Sequence, residues 1–150
     1  MRKSMIGICG DDCQVCPRYL ATQNGSSEEF EKVKELYVRL SLRDPDFPPQ
    51  DLACYGCNPE NKCAYGELRA CACEKEVDNC GLCNGYPCGL ILEAFKKSQK
   101  LHSLVARVCT PKEVGTLKKA FFSKKENLDR IHREMEEVET ANTKIKATGL

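Results

Sequence analysis

"QDLACYGCNPENKCAYGELRACACEKEVDNCGLCNGYPCG", residues 50–89, holds eight of the chain's twelve cysteines and few aliphatic side chains. A segment of this make-up cannot bury enough carbon to offset the entropy of ordering it, so something other than an oily core must hold it together. The reading of its thiols therefore decides the fold. Cys-x2-Cys occurs at Cys54/Cys57 and Cys80/Cys83, and once more upstream at Cys13/Cys16. Two intervening residues let one tight turn aim both sulfurs at a single ion, and thiolates are the soft, anionic donors that zinc takes in tetrahedral sets of four. Single thiols at Cys9, Cys63, Cys71 and Cys88 complete the donor list. From spacing alone, two four-sulfur sites are expected. One is assigned to Cys54, Cys57, Cys80 and Cys83 as a two-knuckle ribbon. The other takes Cys9, Cys13 or Cys16, and Cys88, with Cys63 and Cys71 as alternates. Cys73 and Cys109 are read as bystanders, since a buried free thiol behaves as a small hydrophobe.

Compartment separates metal knuckles from disulfide scaffolds. The N-terminus, MRKSMIGIC, has two basic residues but too short an apolar stretch for a secretory signal, so a cytosolic location with reduced thiols is expected. No apolar run approaches a membrane span. One structural zinc contributes about 10–16 kcal/mol in peptides at neutral pH, comparable with the roughly 5–15 kcal/mol stability of a whole domain. Metal would then decide whether the first half folds.

Outside this stretch the pattern is helical. Phe30, Val33, Tyr37 and Leu40 recur at helical spacing behind a Ser26/Glu29 capping box, predicting a helix over 27–42 that ends at Asp44-Pro45 and Pro48-Pro49. A short helical turn is expected around Gly66 to Glu74. Pro87 is read as the first residue of a helix over 88–108, whose core face carries Leu90, Ile91, Ala94, Phe95, Leu101, Leu104, Val105 and Val108. Thr110-Pro111 with Glu113 opens another helix. Val114, Leu117, Phe121, Leu128, Ile131, Met135 and Val138 continue it as the second arm of a helical hairpin, interrupted near Ser123. Residues 140–150 are expected to fray. The fold class is therefore α-rich, small α+β at most, in a single domain over 1–150. A cysteine-knuckle half (1–89) packs on an amphipathic helix and a C-terminal helical half (90–139).

Charge is divided as unevenly as sulfur. Residues 1–89 carry 10 Lys+Arg and 14 Asp+Glu, while residues 90–150 carry 13 and 8. Two Zn(Cys)4 centres would add about −8 from thiolates and +4 from metal, bringing the overall +1 to about −3. That disfavours a nucleic-acid partner. The cations at Lys96, Lys97, Lys100, Arg107, Lys118, Lys119, Lys124 and Lys125 are interleaved with Glu93, Glu113 and Glu126, as on an ordinary solvated surface.

Competing chemistries use the same residues. Cys9-x3-Cys13-x2-Cys16 has the spacing of the cluster motif of radical S-adenosylmethionine enzymes, but those place it on a partial barrel for which this chain lacks length and repeated strands. An electron-carrying iron–sulfur cluster is the principal alternative to zinc. The CGLC at Cys80–Cys83 resembles a redox dithiol, although the polar KEVDN before it is no apolar strand. His102 and His132 share no ligand spacing with the cysteines. No Ser/His/Asp order, phosphate-cradling glycine loop or carboxylate pair stands out, so no catalytic residue is assigned.

CGDDCQVCPRYLAT, CYGC and LRACACEKEVDNCGLCNGYPC, with the helix after them, resemble the prokaryotic family defined by domain of unknown function 3795, over about residues 6–100. The resemblance places Cys9, Cys13, Cys16, Cys54, Cys57, Cys63, Cys71, Cys80, Cys83 and Cys88 on family cysteines. Gly66 stands where many members have another cysteine, and Cys73 is particular to this chain. The resemblance implies metal binding and no established reaction. The expected function is a small zinc protein, with two ions, acting as a structural, interaction or regulatory module for a protein partner. Iron–sulfur or dithiol redox chemistry is the alternative, and zinc-ribbon-like nucleic-acid binding a weaker one.

Overall fold

A computed structural model describes residues 6–57 and 65–147, with side chains as far as 145. Six α-helices account for most of these residues: α1 (Pro17–Asn24), α2 (Ser27–Arg39), α3 (Gly66–Glu74), α4 (Gly89–Val108), α5 (Pro111–Phe121) and α6 (Lys124–Ala147). Short 3-10 turns at Cys13–Val15, Pro49–Leu52 and Cys80–Leu82 carry the knuckles and the approach to one of them. The α-rich class is thus correct, and among the described residues extended pairing is confined to one antiparallel bridge, Ile6 to Asp12.

Local chemistry accounts for the helix boundaries. Ser26 Oγ accepts the Glu29 amide at 3.2 Å to open α2. At α5, Thr110 and Glu113 form the full reciprocal box, at 3.2 and 3.0 Å. Gly25 (φ 75°) turns the chain between α1 and α2 in the left-handed region that glycine adopts without strain.

Three expectations need correction. Pro87 does not begin a helix: it follows a cis Tyr86–Pro87 bond, and α4 starts at Gly89 with Cys88 as its N-cap. Leu90 and Val108 lie on the exposed margins of α4, because its buried stripe is the narrower Ile91, Ala94, Ser98 and Val105. The C-terminal helix continues through Ala147 where fraying was expected from residue 140. In addition, α1 is a helix that spacing did not predict.

Two apolar clusters hold the elements. Ala21, Val33, Leu36, Tyr37, Leu40, Leu52, Val105 and Leu117 join α1, α2, α4 and α5. Ile8, Cys9, Leu68, Ala72, Tyr86, Ile91, Ala94 and Leu128 join the first loop to α3, α4 and α6. Each fully buried aliphatic side chain contributes about 1.5–3 kcal/mol. The second cluster is the poorer in carbon, with two alanines and a thiol among its buried members. Cys80 and Cys88 pack against this thinner cluster.

Candidate metal centres

The first centre is assembled on α1. Asp12 Oδ1 caps the Gln14 amide at 3.1 Å, turning the chain so that Cys13 and Cys16 face one side, and Pro17 then starts α1. Cys16 Sγ accepts the amides of Arg18 and Tyr19 at the helix start, while burial raises its pKa to about 11. From α1, Arg18 Nε donates to the Leu52 carbonyl at 2.7 Å and an Arg18 terminal nitrogen to the Ala53 carbonyl at 3.2 Å. The Cys54 amide donates to Thr22 Oγ1 at 2.8 Å. These three bonds fasten the 52–57 segment onto α1. They bring Cys54 and Cys57 to Cys13 and Cys16, rather than to Cys80 and Cys83 as spacing had suggested.

Gly7 is the floor of this arrangement. A Cβ there would stand 3.1 Å from Cys57 Sγ and 3.5 Å from Cys13 Sγ, so both sulfurs crowd a bare α-carbon. Cys13 and Cys57 hydrogen-bond to each other, which pulls the Cys57 thiol down to about 6 and pushes Cys13 far up. The Ile8 amide donates to Cys57 Sγ as well. Donors aimed at sulfur favour thiolate, the form that binds metal. Cys9 lies beside this group but deeper. Burial and then the Asp11 carboxylate raise its pKa well above the usual thiol range, and it packs as part of the apolar cluster.

The second centre draws on α3, the Cys80–Leu82 turn and the cap of α4. Cys71, Cys80, Cys83 and Cys88 line one cavity of about 20 Å³, with Lys75 and Tyr86 at its walls. That volume suits a single ion-sized body. The Cys80 amide donates to the Ile8 carbonyl at 3.0 Å, and the turn closes with the Cys83 amide on the Cys80 carbonyl at 3.2 Å. Burial, then the neighbouring Cys88, Cys71 and Cys83, raise Cys80 to about 11, as expected where several thiols crowd together. Lys75 Nζ donates to Cys83 Sγ at 3.6 Å, and its pKa is raised by Cys71 and then Cys83. One residue thus serves both centres, since Ile8 gives its N–H to Cys57 and its carbonyl to Cys80.

Among the described residues, no group of three or more His, Cys, Asp or Glu is already spaced to grip an ion. The thiols share a cavity or a hydrogen bond without converging on one point. In kind and number, each set of four still fits zinc, because four sulfur donors are the usual structural set. Cys63 lies outside the described residues. Cys73 is exposed, and Cys109 packs against the α2/α5 cluster, away from both centres. His102 stacks on Phe122 at 4.6 Å between ring centroids, and His132 reaches the Gly81 carbonyl at 2.8 Å; neither faces a sulfur in these contacts.

Sequence reasoning missed the residues that build these walls: Gly7, Ile8, Arg18, Thr22 and Lys75. Their roles rest on bonds and close approaches between distant segments, which no local spacing announces. Among the described residues, no helix is long and apolar enough to cross a membrane.

No curated protein and no solved structure matches the chain. A family model described as "Protein of unknown function (DUF3795)" matches residues 5–93. That span contains both four-cysteine sets and stops within α4. Well over half of the chain is covered, and the protein therefore belongs to the DUF3795 family.

Proposed function

We propose that the protein is a two-zinc structural module, with Cys13, Cys16, Cys54 and Cys57 holding one ion and Cys71, Cys80, Cys83 and Cys88 the other. The observation that carries this reading is the regrouping of eight thiols, spread over residues 13–88, into two sets of four. Zinc would supply charge neutralisation and cross-linking where the apolar cluster is thin. Amide donors on Cys16 and Cys57 and the Lys75 ammonium beside Cys83 offset the negative charge of a tetrathiolate centre. The module belongs in a reducing compartment and presents its helices to a protein partner; no residue is assigned a catalytic role.

The test is elemental analysis with a visible spectrum on reduced protein purified without oxygen. Colourless protein with two zinc ions per chain is the expected result. Brown protein with broad visible absorption and stoichiometric iron would replace zinc with a cluster. A second reading, a redox dithiol, is favoured by the direct Cys13–Cys57 hydrogen bond. It predicts metal-free protein in which these two thiols form a disulfide reversibly.

A further inference from the structure

The Cys80–Leu82 turn has a second face, turned away from the cavity, and α6 is seated on it. Gly81 is buried and lies against the helix: a Cβ there would come within 2.9 Å of the Leu128 carbonyl oxygen and 3.1 Å of Ile131 Cβ. His132 Nδ1–H donates to the Gly81 carbonyl at 2.8 Å. Tyr86, between Cys83 and Cys88, donates its hydroxyl to Asp129 Oδ1 at 2.6 Å, and its ring lies 5.1 Å from the imidazole of His132. Every one of these contacts joins a residue that lies between proposed zinc ligands to a residue of α6. Beyond His132, α6 is largely exposed, with Val138 and Ile145 at 60% and 57% exposure. Upstream, Lys124, Asn127 and Leu128 hold α6 to Asp11, Gly10 and the apolar cluster, and from Asp129 to His132 the helix is seated on the turn and Tyr86.

We infer that occupancy of the second centre and docking of α6 are one coupled equilibrium, so that α6 is a metal-responsive element. The inference rests on the zinc reading of Cys71, Cys80, Cys83 and Cys88. An ion gripping Cys80 and Cys83 holds the intervening Gly81 in the conformation that receives Leu128, Ile131 and His132, and without the ion the turn loses that restraint. Linkage makes the effect reciprocal: whatever factor zinc contributes to docking, docking contributes to zinc affinity. If the undocked form does not bind, zinc at 100 times its dissociation constant shifts docking about 100-fold. His132 acts as a positioning residue, through the turn rather than on the ion.

Hydrogen exchange on the full chain, reduced, tests this together with zinc competition against a chromophoric chelator. In Cys83→Ser the protein should lose one of its two zinc ions, and the amides of residues 128–134 should exchange at least about 10-fold faster, with those of α2 unchanged. His132→Ala should weaken the second zinc by the factor that it loosens α6, leaving the first zinc untouched. His132→Gln, which keeps an N–H for the Gly81 carbonyl, should recover part of both. If Cys83→Ser unfolds the chain, the His132 pair decides alone. Loss of the second zinc with unchanged exchange in 128–134, or His132→Ala with unchanged zinc affinity, overturns the coupling and leaves the zinc reading standing. Wild-type protein that binds no zinc overturns both.

Discussion

Lys124→Met should be among the most damaging surface-distant changes in this chain. Lys124 is a lysine at the first position of α6 with a side chain only 4% exposed, ion-paired to Asp11, itself 18% exposed. Its ammonium also donates to the Phe121 carbonyl at 2.8 Å and lies 5.1 Å from the centre of the Tyr65 ring. Burial works against its charge, but the Asp11 carboxylate keeps it protonated. Methionine fills nearly the same space without the charge, so the cost is that of leaving the Asp11 carboxylate buried and uncompensated. Breaking a buried pair from one side costs about 3–5 kcal/mol. At about 2–4 °C per kcal/mol for a chain of this size, the melting point should fall by roughly 6–20 °C. Asp11→Asn should cost a comparable amount, for the mirror-image reason. Because both singles leave the same kind of orphan, the double variant should be less destabilised than the sum of the two by about 2–4 kcal/mol. Urea unfolding at pH 7, with zinc held constant, measures all four corners of the cycle. Additive single effects, with a coupling below about 0.5 kcal/mol, would refute the reasoning.

Other positions give simpler readings. Gly10→Ala should destabilise by roughly 2–5 kcal/mol, combining positive-φ strain with overpacking. Gly10 sits at φ 97°, and a Cβ there would meet the Lys124 carbonyl oxygen at 2.7 Å. A denaturation midpoint unchanged from wild type would contradict that close approach. Glu113 is paired with both terminal nitrogens of Arg39, at 2.9 and 3.0 Å, which with the Thr110 amide holds its carboxyl down at about 2. Its contribution is complete above the ordinary carboxylate value of 4.5 and is lost as pH falls from there toward about 2. Both partners are partly solvated, at 38% and 28% exposure, so the loss should be only about 0.5–1 kcal/mol. Comparing the acid limb of the stability curve for wild type and Glu113→Gln checks it; identical limbs would show that the pair contributes nothing.

The sequence by itself determined what could be read locally. Capping at Ser26 and Thr110 and apolar spacing through Val33, Tyr37, Ile91, Val105 and Leu117 depend on neighbours within a turn or two, and those helices stand near where spacing put them, although α2 ends at Arg39, with Ser41 at φ 59°, short of the expected 42 and before the prolines are reached. Cysteine composition likewise marked residues 9–88 as the chemically distinctive part, because thiol number and Cys-x2-Cys spacing are properties of short segments. Only the tertiary structure decided which knuckle meets which. Cys54 and Cys57 join Cys13 and Cys16 because Arg18 and Thr22 bind the backbone of residues 52–54, and such side-chain-to-backbone bonds leave no periodic trace. The same holds for Gly81 beneath α6 and for the Asp11–Lys124 pair, which joins residues far apart in the chain. Thiols at equal spacings are interchangeable as sequence; what distinguishes them is the packing of the helices that carry them, and that is a long-range property.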